Sequence, residues 1–74
     1  FHAMRVFVKI VDSGGFAEAA RQLHLSPPAV TRAVVALEET IGARLLTRTT
    51  RSVKLTDAGR RYVEDCRQIL TAIE

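Results

Sequence analysis

Phe16-Ala-Glu-Ala-Ala-Arg-Gln-Leu-His-Leu-Ser-Pro-Pro-Ala-Val-Thr-Arg, residues 16–32, is the stretch that decides the fold. Residues 16–23 put Ala19, Ala20 and Leu23 on one stripe of a short helix, and the small alanines let another helix come close. His24-Leu25 make a tight connection, since histidine tolerates left-handed backbone better than most residues. Ser26 opens the next helix. A residue before proline is held out of the α region, which is the backbone an N-cap needs. Pro27 at the first helical position loses nothing, because its missing N–H would be unpaired there anyway. Pro28 restricts Pro27 in turn, so the start is fixed only to within a residue. Val30, Val34, Leu37 and Ile41 then recur at helical spacing as a core face, and Gly42 stops the helix.

On the N-terminal side, residues 1–12 read as a first helix. Phe1, Met4, Val8 and Val11 form one stripe with Phe7 beside them, while Val6 and Ile10 lie on another side. A helix apolar on more than one side needs two partners. Ser13-Gly14-Gly15 ends it, because glycine takes the positive φ of a helix end. On the C-terminal side, Leu45–Arg48 and Val53–Leu55 are short extended runs around the polar tip Thr49-Thr50-Arg51-Ser52, a hairpin pattern. Thr56 caps a fourth helix, and Asp57 suits the positive end of its dipole. Tyr62, Cys66, Ile69 and Ile73 form its stripe, with Val63 and Leu70 adjacent. The order helix, short helix, tight turn, helix, hairpin, helix predicts a mainly α winged helix-turn-helix over residues 1–55. Residues 56–74 follow as a linker or dimerisation helix.

Seventy-four residues make one small domain. The four aromatic residues Phe1, Phe7, Phe16 and Tyr62 are too few for a platform that stacks single-stranded bases. Cys66 is the sole cysteine, so no internal disulfide and no Cys-x-x-Cys metal clip can form. No apolar run spans a membrane and no secretory signal is present, so a cytoplasmic, nucleoid-associated protein is expected. The chain opens at Phe1 and ends within a helical pattern, as a piece of a longer protein would. Its net charge is +3, and between Arg44 and Arg61 six basic residues stand against one acid, Asp57. Such a local excess attracts polyanions.

The second helix of a helix-turn-helix enters the major groove of DNA, its first turn reaching base edges. Once Val30, Val34 and Leu37 point inward, Pro27, Pro28, Thr31, Arg32 and Val35 remain outside, and Ser26 lies at the helix start. Thr31 can hydrogen-bond a base or touch a thymine methyl. Arg32 can bind guanine through two parallel hydrogen bonds or neutralise a phosphate. The two prolines offer a rigid apolar edge. Arg48, Thr50, Arg51 and Lys54, at or near the hairpin turn, reach for backbone phosphate or the minor groove. Taken singly these residues are ordinary: Ser26 caps a helix whatever the function, and a lone arginine is usually solvated. Their coincidence on the face the fold leaves free is what points to DNA.

The segments 16–32, Leu37-Glu-Glu-Thr-Ile-Gly-Ala-Arg-Leu-Leu-Thr-Arg and Leu55-Thr-Asp-Ala-Gly closely resemble the LysR-type transcriptional regulators. The resemblance covers essentially the whole chain. It implies a homodimer with fourth helices paired antiparallel, and a further C-terminal domain that binds a small-molecule effector. It also implies recognition of an interrupted inverted repeat near a promoter. Carried over by position, the family's DNA contacts fall on Ser26, Pro27, Pro28, Thr31, Arg32, Arg48 and Arg51. Three departures stand out. Pro27 replaces a frequent glutamine, so base recognition there has to be apolar or shape-based. Gly15 replaces a frequent serine cap, a loss of only a few tenths of a kcal/mol. Val35 and Ala36 replace residues that are often polar or basic.

A dimer is expected on physical grounds as well. Each Ile, Leu or Val left wet forgoes about 1.5–3 kcal/mol, and the fourth helix carries more apolar surface than so small a domain can cover. Gly59 costs roughly 1 kcal/mol against alanine, which a close backbone approach would justify. The expected interface is Val6, Ile10, Tyr62, Cys66, Ile69 and Ile73, the alternative being that some of them only pack on the chain's own first helix. The alternative function is a winged helix that binds protein, for which Val35 and Ala36 speak mildly. An enzyme is not expected: His2 and His24 lack partners at suggestive spacing, no phosphate loop is present, and no metal or cofactor is called for. Glu38 and Glu39 read as solvated or helix-end charge.

Overall fold

A computed structural model of the chain describes residues 2–48 and 53–73, the side chain of Arg48 excepted. The elements are α1 (His2–Ser13), α2 (Phe16–Leu23), α3 (Pro27–Ile41), β1 (Leu46–Arg48), β2 (Val53–Leu55) and α4 (Asp57–Ile73). The architecture is the expected mainly α winged helix-turn-helix.

Local chemistry sets each boundary. Gly14 at φ +84° closes α1, its N–H donating to Ile10 O at 2.9 Å. Gly15 leads into α2 in extended backbone without a side-chain cap. His24 takes the left-handed conformation at φ 58°, and the Leu25 N–H returns to Ala20 O at 2.9 Å. Ser26, at φ −76° and ψ 151°, caps α3, its Oγ accepting from Ala29 N at 3.2 Å. Gly42, at φ +81°, ends α3 with its N–H on Glu38 O at 2.8 Å. Thr56 Oγ1 accepts from Gly59 N at 2.9 Å at the start of α4. The wing is an antiparallel pair with Leu46 opposite Leu55, Thr47 opposite Lys54 and Arg48 opposite Val53.

α1 packs against α2, α3 and α4. This is why it is apolar on more than one side. Its deepest residues are Val6, Phe7 and Ile10, all fully enclosed. Met4, Val8 and Val11 are only partly buried and pack around that centre. The Phe7 ring meets Tyr62 of α4 with centroids 5.9 Å apart. Ala19, Ala20, Val30, Val34, Leu45, Leu46, Val63 and Cys66 complete the core.

Several expectations need correction. Val6, Ile10 and Cys66 have 0% exposure within the chain itself, so they have no surface to give a partner and leave the expected interface. They face the seam between α1 and the rest of the same domain. Ile41 is 38% exposed rather than part of the core face, because α3 outruns its neighbours in its last turn. Gly59 does meet a close backbone, but that of Leu45 in the same chain. A Cβ there would run into the Leu45 carbonyl oxygen and lie 3.0 Å from its carbonyl carbon. The first half of α4 thus belongs to the same core as residues 1–55.

Candidate nucleic-acid interface

On α3, the burial of Val30 and Val34 fixes which residues look outward. Pro27, Pro28, Arg32, Val35 and Ala36 are exposed, and Thr31 is half-buried beside them. Ser26 is exposed although its Oγ is engaged in the cap. Val35, at 41% exposure, adds an apolar spot next to Arg32.

Several of the described arginines are offset by a neighbouring acid. Arg21 pairs with Glu18, Arg60 with Asp57, and Arg67 with Asp12 at 2.8 Å. These pairs sit at the protein surface, where such contacts are worth little but do offset charge locally. Arg32 on α3 and Lys54 on β2, by contrast, have no ion-pair partner among the described residues. Both are exposed. Fixed cations left open at the reading helix and on the wing are what a polyanion needs. The Arg48 side chain and the whole of Thr50 and Arg51 lie outside the described residues.

One contact between α3 and the wing escaped the sequence reading. Glu38, expected as solvated or helix-end charge, is folded inward with a side chain only 14% exposed. Its Oε2 accepts from Leu45 N at 2.7 Å and from Leu46 N at 3.2 Å, with Arg44 Nε 3.8 Å away. Leu45 is fully buried, and a buried N–H needs a partner. The available sequence signal was slight: an apolar Leu45-Leu46 pair entering a hairpin, where the N–H groups of the first residues need an acceptor outside the two-stranded ladder.

Leu45 is tied on its other side too. Its carbonyl accepts from Thr56 N at 3.0 Å, while Thr56 Oγ1 donates to Arg44 O at 2.6 Å. The corner at residues 44–46 therefore links α3, the wing and the start of α4.

A capped helix with a free polar and basic face, followed by a two-stranded wing with an open lysine, defines a winged helix-turn-helix DNA-binding domain. Comparison with known proteins gives the family. The model of the bacterial regulatory helix-turn-helix proteins of the lysR family matches residues 1–60, and the chain belongs to that family. The transcriptional regulator TfdT of Cupriavidus pinatubonensis is 44% identical over 71 residues, covering 96% of this chain and 31% of its own length. The transcriptional activator AaeR of Escherichia coli is also 44% identical over 71 residues, covering 96% of this chain and 23% of its own length. The chain thus spans a third or less of these relatives. Among solved structures, the CbnR DBD–DNA complex superposes with a TM-score of 0.94 at 39% identity, covering 97% of this chain and 83% of that one. The BenM DBD complex with catB site 1 DNA superposes with a TM-score of 0.93 at 32% identity, covering 97% and 81%.

Proposed function

We propose that this chain binds double-stranded DNA sequence-specifically as the reading head of a transcription regulator, and that its role is binding rather than catalysis. The supporting observation is the outward face of α3. Exposed Pro27, Pro28 and Arg32 flank Thr31 while Val30 and Val34 hold the opposite face in the core. Ser26, Pro27, Pro28, Thr31, Arg32 and Val35 would lie along the major groove. Arg48, Thr50, Arg51 and Lys54 would contact backbone or minor groove from the wing. That relatives of the same length class were solved on DNA supports this assignment.

The DNA unit in this proposal is a promoter inverted repeat bound by a homodimer. Ile69 and Ile73 are 37% and 47% exposed on α4, with half-buried Tyr62 and Leu70 on the same helix. Pairing of two such helices removes that surface from water. An effector-binding domain would be carried by the remainder of a longer regulator, since the chain spans only 31% of TfdT. A cytoplasmic, nucleoid-associated location goes with this role. No helix among the described residues is long and apolar enough to cross a membrane.

The test is selection of bound duplexes from a random pool, followed by a salt titration. A selected inverted repeat is expected, with affinity falling steeply as salt rises and a slope lowered by about one unit in Arg51→Ala. Exposed Val35 keeps a second reading in view, a surface that binds protein. A flat salt response with no enriched sequence would favour it.

A further inference from the structure

We propose that Glu38 is a positioning residue for DNA binding. By bonding the first N–H groups of the wing, it fixes the pitch of the wing against the reading helix. The inference rests on the DNA-binding role above and adds how its two DNA-facing elements are held in register.

α3 carries the major-groove face, and Lys54 sits on β2 of a hairpin whose strands have three residues each among the described ones. A ladder that short is marginally stable alone, so its orientation has to come from attachments at its base. On the α3 side the hydrogen-bonding attachment is Glu38, through one carboxylate oxygen that serves both Leu45 and Leu46. On the α4 side it is Thr56, through its N–H to Leu45 O and its hydroxyl to Arg44 O. The Leu45 carbonyl also lies against Gly59, where a Cβ would not fit. Leu45 and Leu46 are buried, so neither can swing outward without exposing its side chain.

The carboxylate spans the two elements that must reach DNA together. Its bonds to N–H groups are charge-assisted, and in a site this enclosed they are strong and directional. Without them, two N–H groups at the wing base are left without this acceptor, and the wing keeps its attachment to α4 but loses the bonds that fix its pitch against α3. Lys54 then no longer arrives at a phosphate when α3 is seated. Such a defect weakens the ionic part of binding and leaves base recognition by α3 in place.

The experiment compares the wild-type chain with Glu38→Ala, Glu38→Gln and Lys54→Ala. Binding is measured to a duplex that the wild type selects from a random pool, over a range of salt, for variants that circular dichroism shows folded. In Glu38→Ala the slope of log affinity against log salt is expected to be shallower by about one to two units, at roughly 0.9 unit for each phosphate no longer neutralised. Lys54→Ala, costly in the wild type, should have little further effect in the Glu38→Ala background, because the lysine is already out of reach of its phosphate. Glu38→Gln keeps an acceptor oxygen and should restore most of the slope. If Glu38→Ala does not fold, Glu38→Asp takes its place, since its carboxylate is one methylene short of the two N–H groups. An unchanged slope in the folded variant would overturn the proposal. So would the same fold-change for Lys54→Ala in both backgrounds, or a Gln variant as defective as Ala. A wild type that binds no duplex at any salt overturns both this inference and the DNA-binding role.

Discussion

Between Asp57 and Cys66, the apolar side of α4 is covered by its own chain. Gly59 lies against the Leu45 carbonyl, Tyr62 meets the Phe7 ring, and Val63 and Cys66 are buried. From Arg67 to Ile73 the same helix is tied to α1 by the ion pair of Arg67 with Asp12, and leaves Ile69 and Ile73 substantially exposed. Both halves carry apolar residues at helical spacing. What separates them is the length of α1 and the domain behind it, which run out before α4 does. The difference teaches that one continuous stripe can be spent inside the monomer in its first half and left open to solvent in its second.

Substitutions can break or sharpen this contrast. The largest effect is expected from Phe7→Ala, which empties the site against the first half of α4. A loss of about 3–5 kcal/mol should appear in urea unfolding, and a cost near zero would mean that this half is not part of the core. Gly59→Ala comes next. Alanine is the better helix former by roughly 1 kcal/mol, yet the added methyl meets backbone that cannot rotate away. A net destabilisation of about 1–3 kcal/mol is expected. If this variant were stabler than the parent, the close approach at Leu45 would be wrong.

Ile73→Ser probes the other half. Its monomer stability should change by no more than about 0.5 kcal/mol, whereas self-association measured by sedimentation should weaken. Equal association by parent and variant would remove Ile73 from the pairing surface. Truncation before Arg60 is a poorer test, because it would also strip Val63 and Cys66 from the core.

The smallest effect is one of pH. Burial is the main reason the Cys66 thiol titrates above its ordinary value of 9.0, with Asp65 adding to the shift and the Tyr62 hydrogen bond opposing it. The unfolded chain therefore gives up this proton first. The thiol's contribution to stability is complete below about pH 9 and is lost as pH climbs through the folded value. Tyr62 is raised as well, by burial first, and acts in the same direction above its ordinary 10.0. Cys66→Ala should flatten the part of the alkaline stability loss nearest pH 9. An unchanged alkaline arm would show that Tyr62 alone accounts for it.

Much of this molecule was legible residue by residue. The Ser26 cap with Pro27 behind it, left-handed His24, the Gly42 stop and the Thr56 cap are set by backbone preferences that act within a turn, and all stand where the sequence put them. The outward face of α3 was equally readable, because burying Val30 and Val34 leaves no choice about where Arg32 points. Glu38 and the division within α4 were not readable. A glutamate whose acceptor oxygen finds N–H groups seven and eight residues away looks the same in sequence as one in water.

Sequence alone thus determined the elements, their caps and the free basic face, since these depend on interactions within a few residues. Tertiary structure decided which apolar residues were already spent inside the monomer and which polar groups tie the wing to its helix. Those outcomes depend on which distant segments meet, and helical periodicity carries no record of that.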